Sequence, residues 1–365
     1  MESGTGGQID RRLRRANELL GRVEAALGRD DRLCLPDEVT IEPTNRCNSR
    51  CAICLPYRRD PLSPAPPLGI MSWETLERLA PLLRRARRVL LTGNGEPLLH
   101  PHYLELARWV KARVPYVYLY TNGTLIDDAL AAGLVAARVD LVSVSLGGAT
   151  PTTFERIRGI PMAPALAGID RLLRAREAAG GGLPELEFTT VALNSVLPEL
   201  PALVDLARAR GVRRITMPQL LVPNPGLEAE SLFVNPQAGE LLDRGREYAR
   251  AAGVELQVWD WPPRPARCAA HGGGTFVAFN GDVLSCAAER HVLGNVADSD
   301  PLAIWRSSGY RRLRRLLRTA PGEICPGCPA WSGDPAHFRR AVAHDRRAAG
   351  SFDPAGNPRP PAGAA

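Results

Sequence analysis

The chain runs to 365 residues with a net charge of +7, and 45% of its residues are apolar against 23% charged. That composition excludes a wholly disordered chain and leaves room for one large domain or two ordinary ones. Lys111 is the only lysine among 46 basic residues. The arginines fall mostly at helical spacing, as in Arg311 to Arg318, so they read as solvated helix faces and predict no nucleic-acid partner. No stretch approaches the ~20 apolar residues that span a bilayer, and the first residues lack the plan of a signal peptide. The expectation is a cytoplasmic protein with no membrane partner. Thiols stay reduced there, so the eight cysteines point to metal or redox chemistry rather than disulfides.

In chain order, residues 1–37 predict a tail and one amphipathic helix over 9–28, with Ile9, Leu13, Leu19, Leu20, Val23 and Leu27 at mostly three- and four-residue steps. Glu38 to Glu42 alternates as a strand. A loop with the first cysteines and a Pro-rich stretch at 61–68 follows, and Ser72 then caps a helix over 73–86. Strands are expected at 88–92, 116–120, 139–145, 186–192 and 213–217. Helices are expected at 102–113, 127–136, 163–178, 198–210 and 236–252. Six β/α units over 38–252 imply a parallel sheet with right-handed crossovers. Six is short of the eight of a closed barrel, so the fold expected is α/β, a partial (β/α)6 barrel with ligands at the strand C-terminal ends.

Residues 253–335 differ. Runs at 275–279 and 282–285 flank Asn280-Gly281, a type I′ hairpin signal, and a basic helix at 301–318 precedes the last two cysteines. This predicts a small C-terminal hairpin and helix domain. Residues 336–365 read as a tail whose end, rich in Pro, Gly and Ala, is too poor in apolar residues to order.

The cysteines divide into Cys34, Cys47, Cys51 and Cys54, then 213 residues without one, then Cys268, Cys286, Cys325 and Cys328. The segment Glu42-Pro-Thr-Asn-Arg-Cys47-Asn-Ser-Arg-Cys51-Ala-Ile-Cys54 spaces three thiolates so that each can ligate one iron of a cubane, leaving the fourth iron open to a small molecule. A partial zinc site is the competing reading, and it lacks a nearby fourth ligand.

With this spacing at the end of the first strand, the chain resembles the radical S-adenosylmethionine (SAM) enzymes over about residues 38–335. The resemblance implies that the open iron of a [4Fe–4S] cluster chelates SAM, whose reductive cleavage gives a 5′-deoxyadenosyl radical, with a flavodoxin or ferredoxin as reductant. Other segments follow the family in order. Gly93-Asn-Gly95-Glu96-Pro97 is similar to the GGEP motif that receives the SAM ammonium, with Asn94 splitting the glycine pair. Asn122 closes the third strand. Ser145 lies in a segment like the one that binds the ribose, and Arg158 is implied for the SAM carboxylate. Val191 and Asn194 are candidates to line the adenine. The residue before the third cysteine, usually aromatic, is Ile53, whose carbonyl can still meet the adenine amine.

Cys268, Cys286 across the hairpin and Cys325-Pro-Gly-Cys328 resemble the auxiliary-cluster region of the SPASM/twitch branch. The count suits the shorter twitch form with one further [4Fe–4S] cluster, and a tetrathiolate zinc site is the alternative. This branch includes 2-deoxy-scyllo-inosamine dehydrogenase, so the resemblance implies oxidation of a secondary alcohol of a sugar or aminocyclitol. The remaining electron would pass to the auxiliary cluster. Peptide maturation is the runner-up; such enzymes often place a leader-binding domain ahead of the barrel, where only about 37 residues stand here. Epimerisation, the third option, needs a thiol hydrogen donor, and Cys34 reads as a packed or surface thiol. Glu289, three residues after Cys286, is the candidate base. Gln219, Trp259, Asp260, Trp261 and His291 are candidate substrate contacts.

Overall fold

The computed structural model describes residues 4–54, 67–220, 227–259, 273–286 and 291–319. Cys268, Cys325, Cys328, Glu289, Asp260, Trp261 and the C-terminal tail fall outside them.

Among the described residues, ten strands form one sheet. Six of them are those the hydrophobic runs predict: β1 (Glu38–Ile41), β2 (Arg88–Leu91), β3 (Tyr116–Thr121), β4 (Leu141–Ser145), β5 (Glu185–Thr189) and β6 (Arg214–Met217). They pair in parallel in sequence order. The sheet does not stop there. After helix Ala238–Ala251, β7 (Glu255–Val258) adds a seventh parallel strand beside β6. At the other edge, β8 (Gly274–Val277) lies parallel to β1, and β9 (Asp282–Leu284) and β10 (Val292–Asn295) continue antiparallel. The hairpin is thus continuous with the barrel sheet.

Its turn differs from the type I′ expected. Phe279 and Asn280 are the central residues, the Gly281 N–H donates to the Ala278 carbonyl at 2.9 Å, and Gly281 alone takes a positive φ of 86°. Glycine serves here as a bulge after the turn rather than as its second central residue.

The helices cover the outer face of the sheet, where Val39, Ile41, Val89, Leu91, Val117, Leu119, Val142, Val144, Phe188 and Ile215 are buried. The helix expected over 73–86 divides at Leu79, two residues before Pro81, into Trp73–Arg78 and Ala80–Leu83, since a proline inside a helix removes a donor but is tolerated in its first turn. A helix not anticipated, Pro151–Arg158, follows β4. Its signals were present: Thr150 caps it, Pro151 opens it, and Gly159 closes it at φ 65°.

The first helix, α1 (Gly4–Ala26), reverses the expected polarity. Leu13, Leu19, Leu20, Val23 and Leu27 are exposed, whereas Arg14 and Glu24 are buried. The surface beneath explains it, because that surface is made of carbonyl groups. Arg14 donates to the carbonyls of Leu83 (3.3 Å), Ala86 and Arg113 (2.7 Å), which precede β2 and β3. This helix therefore closes the strand N-terminal end, opposite the expected site. Cys34 is packed against Gly21 of the helix and is 2% exposed. Its carbonyl accepts from Trp305 Nε1 at 2.7 Å. The Arg314 guanidinium stacks 4.3 Å from the Trp305 ring centre and donates to the Asp30 carbonyl at 3.0 Å, so helices Pro301–Trp305 and Ser308–Thr319 clasp the N-terminal segment.

Burial, reinforced by Glu24, pushes the Cys34 thiol up to about 11 from 9.0. A proton held more tightly in the folded state gives stability that is complete below pH 9 and is lost as pH rises through about 11. Urea titrations should therefore show the parent chain losing more stability than Cys34→Ala between pH 9 and 11. Parallel curves would refute the assignment.

Candidate active site

β1 runs into the cysteine loop, which contains no helix or strand between Glu42 and Cys54 apart from one bridge at Thr44. Its shape comes from neighbours. The Ala52 N–H donates to the Ile157 carbonyl at 2.9 Å, and Gly159 lies so close to the Arg50 carbonyl that a Cβ there would force a shift. Asn122 at the end of β3 donates through Nδ2 to Asn48 Oδ1 (2.7 Å) and Ser49 Oγ (3.0 Å). Its Oδ1 accepts from the Thr124 N–H and hydroxyl. Asn122, singled out as a SAM contact, is 2% exposed and serves as the strut of this loop.

The three thiols are half-buried. Burial pushes the Cys47 thiol above its ordinary range; Glu96 and Cys51 act in the same sense, while the Ser49 N–H, donating at 3.4 Å, and the Arg158 charge oppose it. A coordinating metal deprotonates a thiol outright.

The loop after β2 closes on the cysteine loop. A Cβ on Gly95 would collide with the carbonyl oxygens of Thr44 and Arg46, and one on Gly93 with the Glu42 side chain. The Glu96 N–H donates to the Arg46 carbonyl at 2.8 Å. The Glu96 carboxylate is bonded within the protein. It is 3% exposed and accepts from Thr121 Oγ1 (2.6 Å) and the N–H groups of Asn122 (2.7 Å) and Leu98 (3.3 Å). It ties the β2 loop to β3 ahead of buried Pro97. Burial raises its pKa, opposed by those hydrogen bonds and by the charge of Arg158.

Arg158 ends helix Pro151–Arg158 with its aliphatic stem on Gly147. Its Nε is buried and has no hydrogen-bond partner, an expensive arrangement for a guanidinium donor. Ser145, the last residue of β4, is half-buried nearby in sequence. Ile53 and Val191 are partly buried against the core. Asn194 is not available to a ligand through its amide: Nδ2 donates to the Ala229 and Ser231 carbonyls, and Oδ1 accepts from Asn235. Gln219 donates to the Trp259 carbonyl at 3.1 Å. Cys286 follows β9, and register places it level with the start of β1, since Phe276 pairs with Leu284 and Gly274 with Glu38. His291 lies beside it, its carbonyl accepting from the Ser285 N–H at 3.1 Å.

Glu42 escaped the sequence analysis. Alternation along β1 gave the signal, because Glu38, Thr40 and Glu42 share one side of the strand. Three part-buried thiols on one loop and an unsatisfied guanidinium nitrogen beside them fit a cluster with an anionic small molecule on its open iron. The fold and site thus define an iron–sulfur enzyme built on a partial parallel barrel.

Comparison with known proteins carries this further. Residues 41–183 match the Radical SAM superfamily, and residues 268–329 match SPASM, described as an iron-sulfur cluster-binding domain. The chain therefore carries a radical SAM domain followed by a SPASM domain. These call for a [4Fe–4S] cluster, SAM and additional iron–sulfur at the C-terminal region. The AdoMet-dependent heme synthase of Methanosarcina barkeri is 26% identical over 329 residues, 81% of this chain and 91% of that protein. The tungsten-containing aldehyde ferredoxin oxidoreductase cofactor-modifying protein of Pyrococcus furiosus is 28% identical over 322 residues, 79% and 86% respectively. Among solved structures, Streptococcus suis SuiB bound to precursor peptide SuiA superposes with a TM-score of 0.63 at 15% identity, covering 82% of this chain and 75% of that one. The anSMEcpe structure with bound AdoMet gives 0.62 at 17% identity, covering 85% and 97%. At these identities the likeness is one of fold. No helix among the described residues is long and apolar enough to cross a membrane.

Replacing Arg158 by Met should weaken SAM binding ~10-fold or more, about 1.4 kcal/mol, while iron per chain stays constant. Unchanged affinity in equilibrium dialysis would remove Arg158 from the SAM site. Replacing Asn122 by Ala should lower the iron retained by the cysteine loop during gel filtration, and full retention would show that the loop holds itself.

Proposed function

We propose that the chain is an oxidoreductase that removes hydrogen from a carbon of a small hydroxyl-bearing substrate, a sugar or aminocyclitol, converting a secondary alcohol to a ketone. The observation that supports this reading is the lining of the barrel. A closed barrel of this kind is normally filled by branched apolar side chains. Here the inner face carries Tyr118 and Tyr120 from β3, Ser143 from β4, Glu187 and Thr189 from β5, and Thr216 from β6. Ser143 Oγ donates to Glu187 Oε1 at 2.9 Å, Thr216 Oγ1 donates to the same oxygen at 3.2 Å, and Thr189 shares hydrogen bonds with both hydroxyls. Hydroxyls that can donate or accept suit a substrate rich in the same groups.

When bound at Cys47, Cys51 and Cys54, the cluster and SAM would supply hydrogen-abstracting radical chemistry, and an auxiliary cluster in the C-terminal region would supply an electron acceptor. The chain's own residues do the rest. Arg158 and the Gly93 to Gly95 turn hold and orient the cofactor. The oxidation releases a hydroxyl proton, and Glu187, whose other oxygen pairs with Arg214 at 3.4 Å, would receive it at Oε1. Thr189, nearer the open end of β5, relays it through Ser143. Glu289, which lies outside the described residues, is the alternative base. A flavodoxin- or ferredoxin-type carrier would supply the reducing electron. Epimerisation loses support, because Cys34 is sealed under α1 at the opposite end of the barrel.

A second reading is modification of a cofactor precursor. It draws on the two relatives that align over about four fifths of the chain, both named for making or altering a cofactor.

Anaerobic protein with reconstituted clusters, reductant and SAM should release 5′-deoxyadenosine, and a polyol or aminocyclitol substrate should raise that release with one ketone formed per SAM consumed. Failure to cleave SAM with intact clusters would defeat the enzyme reading. Stimulation by a tetrapyrrole precursor and by no polyol would favour the second. Glu187→Gln should slow ketone formation ~100-fold or more if it serves as the base, with substrate-free SAM cleavage retained.

A further inference from the structure

Glu42 stands at the junction of the two cluster-bearing parts of the chain, and neither the cluster motifs nor the proposed chemistry uses it. It is the residue after β1, and its side chain is fully buried. One carboxylate oxygen accepts from the Asn94 N–H at 2.7 Å, in the middle of Gly93-Asn-Gly95. The other accepts from the Phe279 N–H at 3.3 Å, in the turn of the β8–β9 hairpin. Its own N–H donates to the Val277 carbonyl at 2.9 Å, extending the β1–β8 ladder. Gly93 lacks a side chain where the Glu42 stem passes, and Gly69 lacks one where the Phe279 ring lies. The carboxylate thus spans two loops that are 185 residues apart in the chain.

We propose that Glu42 is a positioning residue that fixes the SAM-side turn against the auxiliary hairpin, so that a shift in either is felt by the other. The argument is one of acceptor count. A carboxylate offers acceptors on both oxygens, and two backbone N–H groups aimed at different oxygens need both. A carboxamide keeps one oxygen and turns a donor toward the other N–H. Hydrogen bonds to a charged acceptor are worth more than neutral ones, and buried carboxylates are retained where they are well bonded. The coupling holds whichever substrate the enzyme takes.

The test is Glu42→Gln in the full chain with both clusters reconstituted, with Glu38→Gln as the control at the other end of the same strand. Amide hydrogen exchange should quicken ~10-fold or more at both 92–95 and 278–280, while β4 to β6 keep their protection. SAM affinity should fall, and the electron paramagnetic resonance spectrum of the reduced auxiliary cluster should change with it. Glu38→Gln should leave those two loops as they are. If Glu42→Gln does not fold, Gly93→Ala carries the test, because a methyl group there displaces the Glu42 stem; exchange at Phe279 should then quicken although the substitution lies on the other loop. A uniform rise in exchange across the sheet would make Glu42 merely structural. Quickening at one loop alone, or unchanged SAM affinity, would equally overturn the coupling.

Discussion

A loop that carries three thiols has little apolar content with which to fold itself, and the cluster it serves cannot shape it before arriving. The segment from Glu42 to Cys54 is therefore held from outside, largely by backbone and amide hydrogen bonds from neighbouring loops, strand ends and a helix end. Asn122 supports it from β3, the C-terminus of the helix after β4 supports it through Ile157 and Gly159, and Gly95 supports it from the β2 loop. Each support is a close backbone approach or a short amide contact, with little tolerance for added atoms. The parallel sheet supplies the geometry: it brings the strand C-termini side by side, so loops distant in sequence can brace one another there.

The same sheet shows two kinds of interior. Outside, under the helices, it is continuously apolar. Inside, it is lined by phenols, hydroxyls and carboxylates that satisfy one another: Tyr118 donates to Glu38 Oε1 at 2.9 Å, and Arg88 pairs with the same carboxylate. Burial raises the pKa values of Tyr118 and Tyr120, so both phenols stay protonated near neutral pH and remain donors. Buried polar groups are costly unless bonded. A lining of this kind is held by mutual hydrogen bonds where apolar packing would otherwise hold it.

Much of the fold was legible because the outer face of each strand leaves a regular apolar signal along the chain, and β1 to β6 each begin and end within a few residues of expectation. Periodicity failed where the partner surface was unusual. The apolar stripe of α1 predicted a buried leucine face, yet the helix docks on carbonyl groups and buries Arg14 instead; no sequence pattern of a helix announces the chemistry of what it lands on. The cysteine loop was legible from spacing alone. The fate of Glu96 was not, since a carboxylate in a motif looks the same whether it faces a ligand or caps a strand end. Arg158 was named from resemblance, and its buried, unbonded Nε gives that choice a physical footing.

The pairing of β1 with β8 bears on how the chain is made. β1 is complete once residue 41 has been synthesised, but its neighbour on one side, Gly274–Val277, follows more than 230 residues later. At ribosomal rates of ~5–20 residues per second, that edge stays open for on the order of tens of seconds. An unpaired strand edge is a template for wrong partners, so the newborn chain passes through a stage with its first strand half covered. During that stage the loop beyond it is also accessible from the side that the hairpin later seals. The order of translation thus leaves the side of β1 that β8 covers open until the C-terminal hairpin is made.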